Sequence, residues 1–244
     1  MDLILLPIKC FFTPDFMKLH CYTYFISSTK LLMEEPFFWE EFMTHFPLYK
    51  RWISDYYRIK EELDDFLGIP GSLISFPRYD TSYKEELNST PLYENTWLVM
   101  PFSKLSNEAL RPDPSKTLGD LSNGYMAGIV KQFCPTLAKS IAEYESRSLV
   151  SNCFISKLLP GSIIHPHRGR TNKFMRMQMG IFCDKKCSIT VGSEHRTWRA
   201  GEIIAFKDGG PYLHSVKHFG SKSRIIISCD IDLDFLKLFS DRLN

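Results

Sequence analysis

Between Pro36 and Gly68 the apolar residues Leu48, Trp52, Tyr56, Ile59, Leu63 and Phe66 recur three and four apart, with Lys60, Glu61, Glu62, Asp64 and Asp65 largely off that line. Such spacing puts the apolar set on one face of a helix, and Gly68 followed by Pro70 ends it. Residues 69–125 are rich in Pro, Ser, Asn and Tyr and read as long loops, apart from the apolar run TWLVMPF, a strand candidate. Short helical stretches are predicted from Met126 to Phe133 and from Thr136 to Tyr144. From Ser151 the pattern changes to seven short alternating runs: CFISKLL, KFMRMQMGIF, CSITVG, RTW, EIIAF, HSVKHF and SRIIISCDI. So many strand-like runs separated by turns predict a sandwich or a closed barrel. Residues Asp234 to Arg242 predict a terminal helix.

Two of these runs have readable faces. Period two places Phe174, Arg176, Gln178, Gly180 and Phe182 on one side, with Met175, Met177, Met179 and Ile181 on the other. The second set is a continuous apolar face, and its methionines are core packing rather than a copper site. Near the C-terminus Arg224, Ile226, Ser228 and Asp230 alternate in the same way with Ser223, Ile225, Ile227 and Cys229. An arginine among so many isoleucines either snorkels at a strand end or holds an anion.

Composition narrows the class. The chain has 244 residues, 44% hydrophobic and 24% charged, enough for one sizeable core, and we expect a single domain: a helical and loop part over 1–149, a β core over 150–233 and the C-terminal helix. A formal charge of +2 without a basic tract argues against nucleic acid. The seven cysteines, odd in number and scattered, suit reduced thiols in the cytoplasm. The start MDLILLPIKCFF is broken by Pro7 and Lys9 and reads as a buried strand or docking segment, not as a membrane span. Asn88-Ser89-Thr90 is a chance match to a glycosylation acceptor. No Gly-x-Ser-x-Gly, His-Glu-x-x-His or phosphate loop is present.

Chemistry concentrates in LLPGSIIHPHRGRTNKFMRMQMGIF and in KDGGPYLHSVKHF. The first places His165 and His167 one residue apart in a proline-bounded loop; the second starts a strand with His214, and Arg224 follows ten residues later. Iron enzymes that use 2-oxoglutarate need metal ligands and a cation for the distal carboxylate, for which a guanidinium fork is well suited. Other features have plainer readings. Cys183 and Cys187 flank a turn, Glu194-His195-Arg196 is a solvated hairpin tip, and Asp208 before two glycines is either a turn residue or a holder of a metal-bound water or substrate amine.

The segment PGSIIHPHRGRTNKFMRMQMGI resembles the aspartyl/asparaginyl β-hydroxylases, whose pattern runs Pro-Gly, Pro-His-x-Gly-x-Thr-Asn and Arg-x-His-x-Gly-Leu. The likeness continues through TWRAGEIIAFKDGGPYLHSV and ends in SRIIISCDI, covering about residues 150 to 231. It implies a mainly β fold with some α: a double-stranded β-helix, the jelly-roll or cupin-like barrel, behind a helical N-terminal half. It implies Fe(II), 2-oxoglutarate as co-substrate and O2. The iron-binding histidines fall on His167 and His214, because Pro166-His167-x-Gly169 is the part that matches, leaving His165 as a strand-end neighbour. The arginine for the 2-oxoglutarate carboxylate falls on Arg224, with Arg176 and Ser156 as further co-substrate contacts. Where the family pattern has a histidine, this chain has Gln178, an amide that still donates a hydrogen bond. Gly169 takes the position where the wider superfamily has a carboxylate ligand.

The resemblance implies an oxidoreductase that hydroxylates a C–H bond. The substrate is an amino-acid-like small molecule or an Asp/Asn-type residue in a peptide or protein. The competing expectation is a catalytically silent jelly-roll that binds a ligand or partner.

Overall fold

The strand-like runs after Ser151 pair, all antiparallel, into two facing sheets. The computed structural model describes residues 36–39, 43–70, 72–75, 92–102, 128, 130–169 and 171–236. The N-terminal run, Asn88-Ser89-Thr90 and the terminal helix beyond residue 236 lie outside the described residues.

In chain order the strands are β1 (Ile74–Ser75), β2 (Tyr93–Glu94), β3 (Trp97–Pro101), β4 (Val150–Leu158), β5 (Ile163–His167), β6 (Phe174–Phe182), β7 (Cys187–Val191), β8 (Glu194–Thr197), β9 (Ile203–Lys207), β10 (His214–His218) and β11 (Arg224–Asp232). One sheet runs β1-β3-β4-β11-β6-β9 and the other β2-β5-β10-β7-β8. Counting β4 to β11 as strands one to eight, the sheets read 1-8-3-6 and 2-7-4-5. That interleaved order is the double-stranded β-helix, or jelly roll. TWLVMPF supplies β3, which extends the first sheet along β4.

All seven predicted runs after Ser151 contain strands, and one more appears. β5 carries His167, which the sequence reading put in a loop. Pro166 lacks an N–H, which hid the strand, yet it sits one residue from the strand's end, where proline is tolerated. The Glu194-His195-Arg196 stretch is exposed as expected, but it forms the edge strand β8 rather than a hairpin tip.

The first sheet has two different faces. Met175, Met177, Met179, Ile181, Ile225, Ile227 and Cys229 form its outer face, packed in one apolar cluster with residues from the helices. Its inner face contributes Leu158, Ile204, Phe206 and Ile226 to a second cluster, shared with Ile164, Ile189, Val191 and Val216 of the other sheet. The arginines and the glutamine of β6 and β11 share that inner side.

The predicted helix over 36–68 is two helices, α1 (Pro47–Ser54) and α2 (Tyr56–Leu67), divided at Asp55, whose backbone leaves the helical region at φ −91° and ψ 4°. All six residues of the predicted stripe are buried. A third helix, α3 (Pro135–Ser146), covers the predicted stretch over Thr136 to Tyr144. Its first turn is capped from α2, because the Glu62 carboxylate accepts from the Thr136 N–H at 2.9 Å and from its hydroxyl at 2.5 Å. Trp52 of α1 donates to the Ser140 hydroxyl of α3 at 2.8 Å, and the Tyr56 hydroxyl reaches the Ile181 carbonyl of β6 at 3.4 Å.

These contacts predict a sharp contrast. Ile59→Ala, at a fully buried site against the sheet, should cost about 2–5 kcal/mol in a urea titration. Tyr57→Ala two residues away, where the side chain is 83% exposed, should stay within about 0.5 kcal/mol. Equal losses in the two variants would mean that the helices do not cover the sheet as described.

Candidate active site

The two matched histidines meet across a strand pair. His214 at the start of β10 stands opposite His167 at the end of β5, just before a break in the register, and their ring centroids are 4.2 Å apart. Both are buried, at 5% exposure each. His167 Nδ1 lies 2.7 Å from the His165 carbonyl oxygen, a contact that puts the proton on Nδ1 and leaves Nε2 as the lone-pair nitrogen. Burial first, and the neighbouring His214 second, push the His167 pKa down to about 3, so the ring is neutral at physiological pH. The His165 ring itself pairs with Glu94 at 3.0 Å on the partly exposed outer side; only its backbone serves the site.

Asp208 stands beside these rings. It lies in a turn, as read from the sequence, but its carboxylate points inward, 3.2 Å from His214 Nε2 and in contact with Arg176 Nη1. Arg176 also forks onto Asp230, donating from Nε at 2.7 Å and from Nη2 at 2.9 Å. The Asn152 amide adds a donor to Asp230 at 2.9 Å. Burial raises both carboxyls. For Asp208 the Arg176 and His214 contacts outweigh burial and hold it well below the ordinary range, whereas Asp230 stays above its ordinary value. The three N–H donors on Asp230 nonetheless mark it as a carboxylate.

Glycines let the two loops close up here. The Gly169 N–H donates to the Asp208 carbonyl at 2.8 Å, and a β-carbon at Gly169 would fall 1.9 Å from Asp208 Oδ2. A β-carbon at Gly209 would fall 2.0 Å from the Thr171 carbonyl oxygen. Among the described residues no three His, Cys, Asp or Glu side chains form a ready metal-holding group. The imidazoles of His167 and His214 are the adjacent nitrogen donors here, and they suit a borderline transition ion such as Fe(II).

Deeper along the same inner face sits Arg224, at 2% exposure. Its Nη2 donates to the Ser156 hydroxyl at 2.8 Å, and its guanidinium lies 4.7 Å from the Trp198 ring centre. The Trp97 indole N–H also reaches Ser156 Oγ at 2.8 Å. No carboxylate pairs with Arg224 among the described residues, and its Nε, though buried, makes no hydrogen bond. Burial pushes its pKa down. Between this end and the mouth, Gln178 of β6 stands opposite Ser228 of β11, with Gln178 Oε1 and Ser228 Oγ buried and unpartnered. An interior with a bare guanidinium N–H and an unpartnered hydroxyl, Arg224 Nε and Ser228 Oγ, fits a small polar anion reaching inward from the histidines.

All six residues singled out in the sequence therefore line one interior. His167, His214 and Arg176 are at the mouth, Gln178 is midway, and Ser156 and Arg224 are at depth. Arg176 is engaged by two carboxylates, a partnership the sequence reading did not foresee. That reading also missed Asp230 and Asn152 as members of the cluster. The polar member of an apolar alternation, Asp230 in SRIIISCDI, was the signal available. Cys183 and Cys187 are packing thiols at a turn, pushed by burial up to about 12 and about 11.

The chain shares its sequence with a known family. The family model described as aspartyl/asparaginyl beta-hydroxylase matches residues 54–233. Aspartate beta-hydroxylase domain-containing protein 2 of Xenopus tropicalis is 31% identical over 104 residues, 40% of this chain and 28% of that protein. The aspartyl/asparaginyl beta-hydroxylase of Mus musculus is 32% identical over 104 residues, 40% of this chain and 14% of its own length. The matched stretch thus spans less than a third of these curated relatives. Among solved structures, a predicted oxalate decarboxylase of Thermotoga maritima aligns at a TM-score of 0.31 and 16% identity, covering 36% of this chain and 71% of that one. The fold assignment rests on the strand order, not on that likeness.

Two measurements follow from the geometry. His167→Ala and His214→Ala should each abolish Fe(II) binding in a metal titration, whereas His165→Ala should keep most of it, because the contact to His167 comes from the residue-165 backbone. A silent His165 variant beside a metal-binding His167 variant would reverse the assignment. Separately, Gly169→Ala should lower stability by roughly 1–3 kcal/mol on denaturation, since the added methyl overlaps the Asp208 carboxylate. A neutral result would show that the two loops are not closed together.

Proposed function

Because the chain belongs to the aspartyl/asparaginyl β-hydroxylase family, we propose that it is an Fe(II)- and 2-oxoglutarate-dependent hydroxylase. Its substrate is an amino-acid-like carbon skeleton, either a small molecule or an Asp/Asn-type residue in a peptide or protein. The observation that carries this reading is a pair of adjacent buried imidazoles at the mouth of a barrel whose depth holds a buried arginine without an acidic partner among the described residues. The family match supports this reading, and the geometry suits each residue to a task.

His167 and His214 would hold the iron. When bound, iron and 2-oxoglutarate together supply the activation of O2, one oxygen atom ending in succinate and the other in the new hydroxyl group. The remaining tasks belong to the chain. Arg224 offers Nε and an Nη to a carboxylate, and Ser156, already in contact with Arg224, orients the guanidinium. Trp198 and Trp97 wall that end against water, which strengthens the charge contact. Gln178, with its carbonyl oxygen unpartnered, presents its amide toward the middle of the same channel. Arg176 is held by Asp208 and Asp230, so its role is to position the Asp208 carboxylate beside His214.

Purified protein given Fe(II), ascorbate and 2-oxoglutarate should release succinate slowly without substrate, and a screen of amino acids and peptides should find a product heavier by one oxygen atom. Arg224→Lys should weaken 2-oxoglutarate binding by about ten- to a hundredfold, because a point charge cannot reproduce the two-pronged contact. No succinate from the wild-type protein, with unchanged 2-oxoglutarate affinity in Arg224→Lys, would leave the binding barrel as the better reading.

A further inference from the structure

At the end of the barrel away from the histidines, two turns are fastened together. The β6–β7 turn carries Asp184, Lys185 and Lys186; the β10–β11 turn carries Phe219, Gly220, Ser221 and Lys222. Asp184 joins them. Its Oδ1 accepts from the Lys186 N–H at 2.9 Å, and its Oδ2 accepts from the Ser221 and Lys222 N–H groups at 2.9 and 3.2 Å. The Phe219 N–H donates to the Lys186 carbonyl at 3.0 Å. Gly220 leaves room for the carboxylate, since a β-carbon there would lie 2.1 Å from Asp184 Cγ. Buried His218 braces the second turn, its Nε2 lying 2.9 Å from the Lys222 carbonyl oxygen.

The product is a preformed tip with an unusual surface. Phe219 is 63% exposed, although nothing in the folding of the barrel requires a bare aromatic there. Lys185, Lys186, Lys217 and Lys222 are all exposed on these two turns and the strand end between them. Against the four lysines stands the single carboxylate of Asp184, whose oxygens are taken up by backbone donors. These five side chains sum to a formal charge of +3, four lysines less one aspartate. Along β10 Phe219 lies five residues beyond His214, about 16 Å from the mouth along the strand.

We propose that this tip is a docking surface for a membrane leaflet rich in anionic phospholipid, with Phe219 entering the headgroup layer and the four lysines facing the lipid phosphates and carboxylates. An acidic protein segment would satisfy the lysines and leave Phe219 in water. A bilayer interface accepts both, because an aromatic ring gains at headgroup depth and basic residues gain near an anionic surface. The fastening by Asp184 means that little ordering is needed on contact. Docked in this way, the protein keeps its histidine end turned away from the lipid.

The test is cosedimentation of the full chain with vesicles of phosphatidylcholine alone or with about a third phosphatidylserine, without iron or 2-oxoglutarate. The wild-type protein should pellet with the anionic vesicles, remain in solution with the neutral ones, and be released by high salt. Lys185→Ala and Lys222→Ala should each lower the partition coefficient about fivefold, and Phe219→Ala about tenfold or more. All three should retain the circular dichroism of the parent, and His167→Ala should pellet like the wild type. Equal binding to both vesicle types, wild-type binding by the lysine and phenylalanine variants, or no binding at all would overturn the proposal. Lysine-dependent binding to a poly-glutamate peptide with none to vesicles would also overturn it and assign the tip to an acidic protein partner.

Discussion

The outer faces of β6 and β11 bury three methionines, four isoleucines and a cysteine in one cluster with residues of the helices, and that packing fixes the direction of the polar groups these two strands carry inward. In a strand the side chains alternate, so a slip of one residue would exchange the two faces completely. Met177 and Met179 could then seal nothing, and Arg176, Gln178, Ser228 and Asp230 would meet Trp52, Ile59 and Leu63 instead of one another. The register avoids this because the apolar outer residues share one cluster with helix residues, while the inner residues find one another at matched positions: Arg176 opposite Asp230, and Gln178 opposite Ser228. The helical N-terminal part is therefore a condition for the site even where it contributes no site residue.

Charge is balanced inside the barrel with the same economy. Asp208 and Asp230 offset Arg176 and Arg224, and His167 adds nothing while neutral. The four charges are unevenly distributed, however. Both carboxylates gather on Arg176, which leaves the mouth with one negative charge in excess and the deep end with one positive charge in excess. A divalent cation at the histidines and a dicarboxylate reaching toward Arg224 have the signs that relieve both excesses. Burial makes this separation costly in their absence, because an unpaired guanidinium out of water loses its hydration without a replacement.

Much of this was legible in the sequence, for identifiable physical reasons. Period two in KFMRMQMGIF and SRIIISCDI separated the apolar from the polar-bearing face of each strand, because a sheet with one face on helices must alternate, though it did not say which face is the interior. The helical stripe held through the break at Asp55, since the two helices continue the same apolar face. What stayed hidden depended on contacts between distant segments. The sequence does not reveal that Asp230 and Asp208 share one guanidinium, as they approach it from β11 and from the loop after β9. Nor does Pro166 announce that His167 lies in a strand, since the missing N–H is the usual mark of a break. The jelly-roll order itself was inferred from a resemblance; alternation alone predicted only a sandwich or barrel.

The pairing of Gly169 with Asp208 shows how such a distant contact can replace a local one. A carboxylate placed two residues after the first histidine would project from the loop at 169, and here that volume is occupied. Asp208 Oδ2 comes within 1.9 Å of where a β-carbon would begin, and the Gly169 N–H is spent on the Asp208 carbonyl. The acid beside the histidines is thus delivered from the opposite side of the mouth, held by Arg176 and touching His214. Such an acid is less free to move onto a metal than an unpaired carboxylate, because leaving its place would take a carboxylate partner from the half-buried Arg176 guanidinium. Glycine at 169 is then the steric counterpart of aspartate at 208, and the two positions function as one unit although 39 residues separate them in the chain.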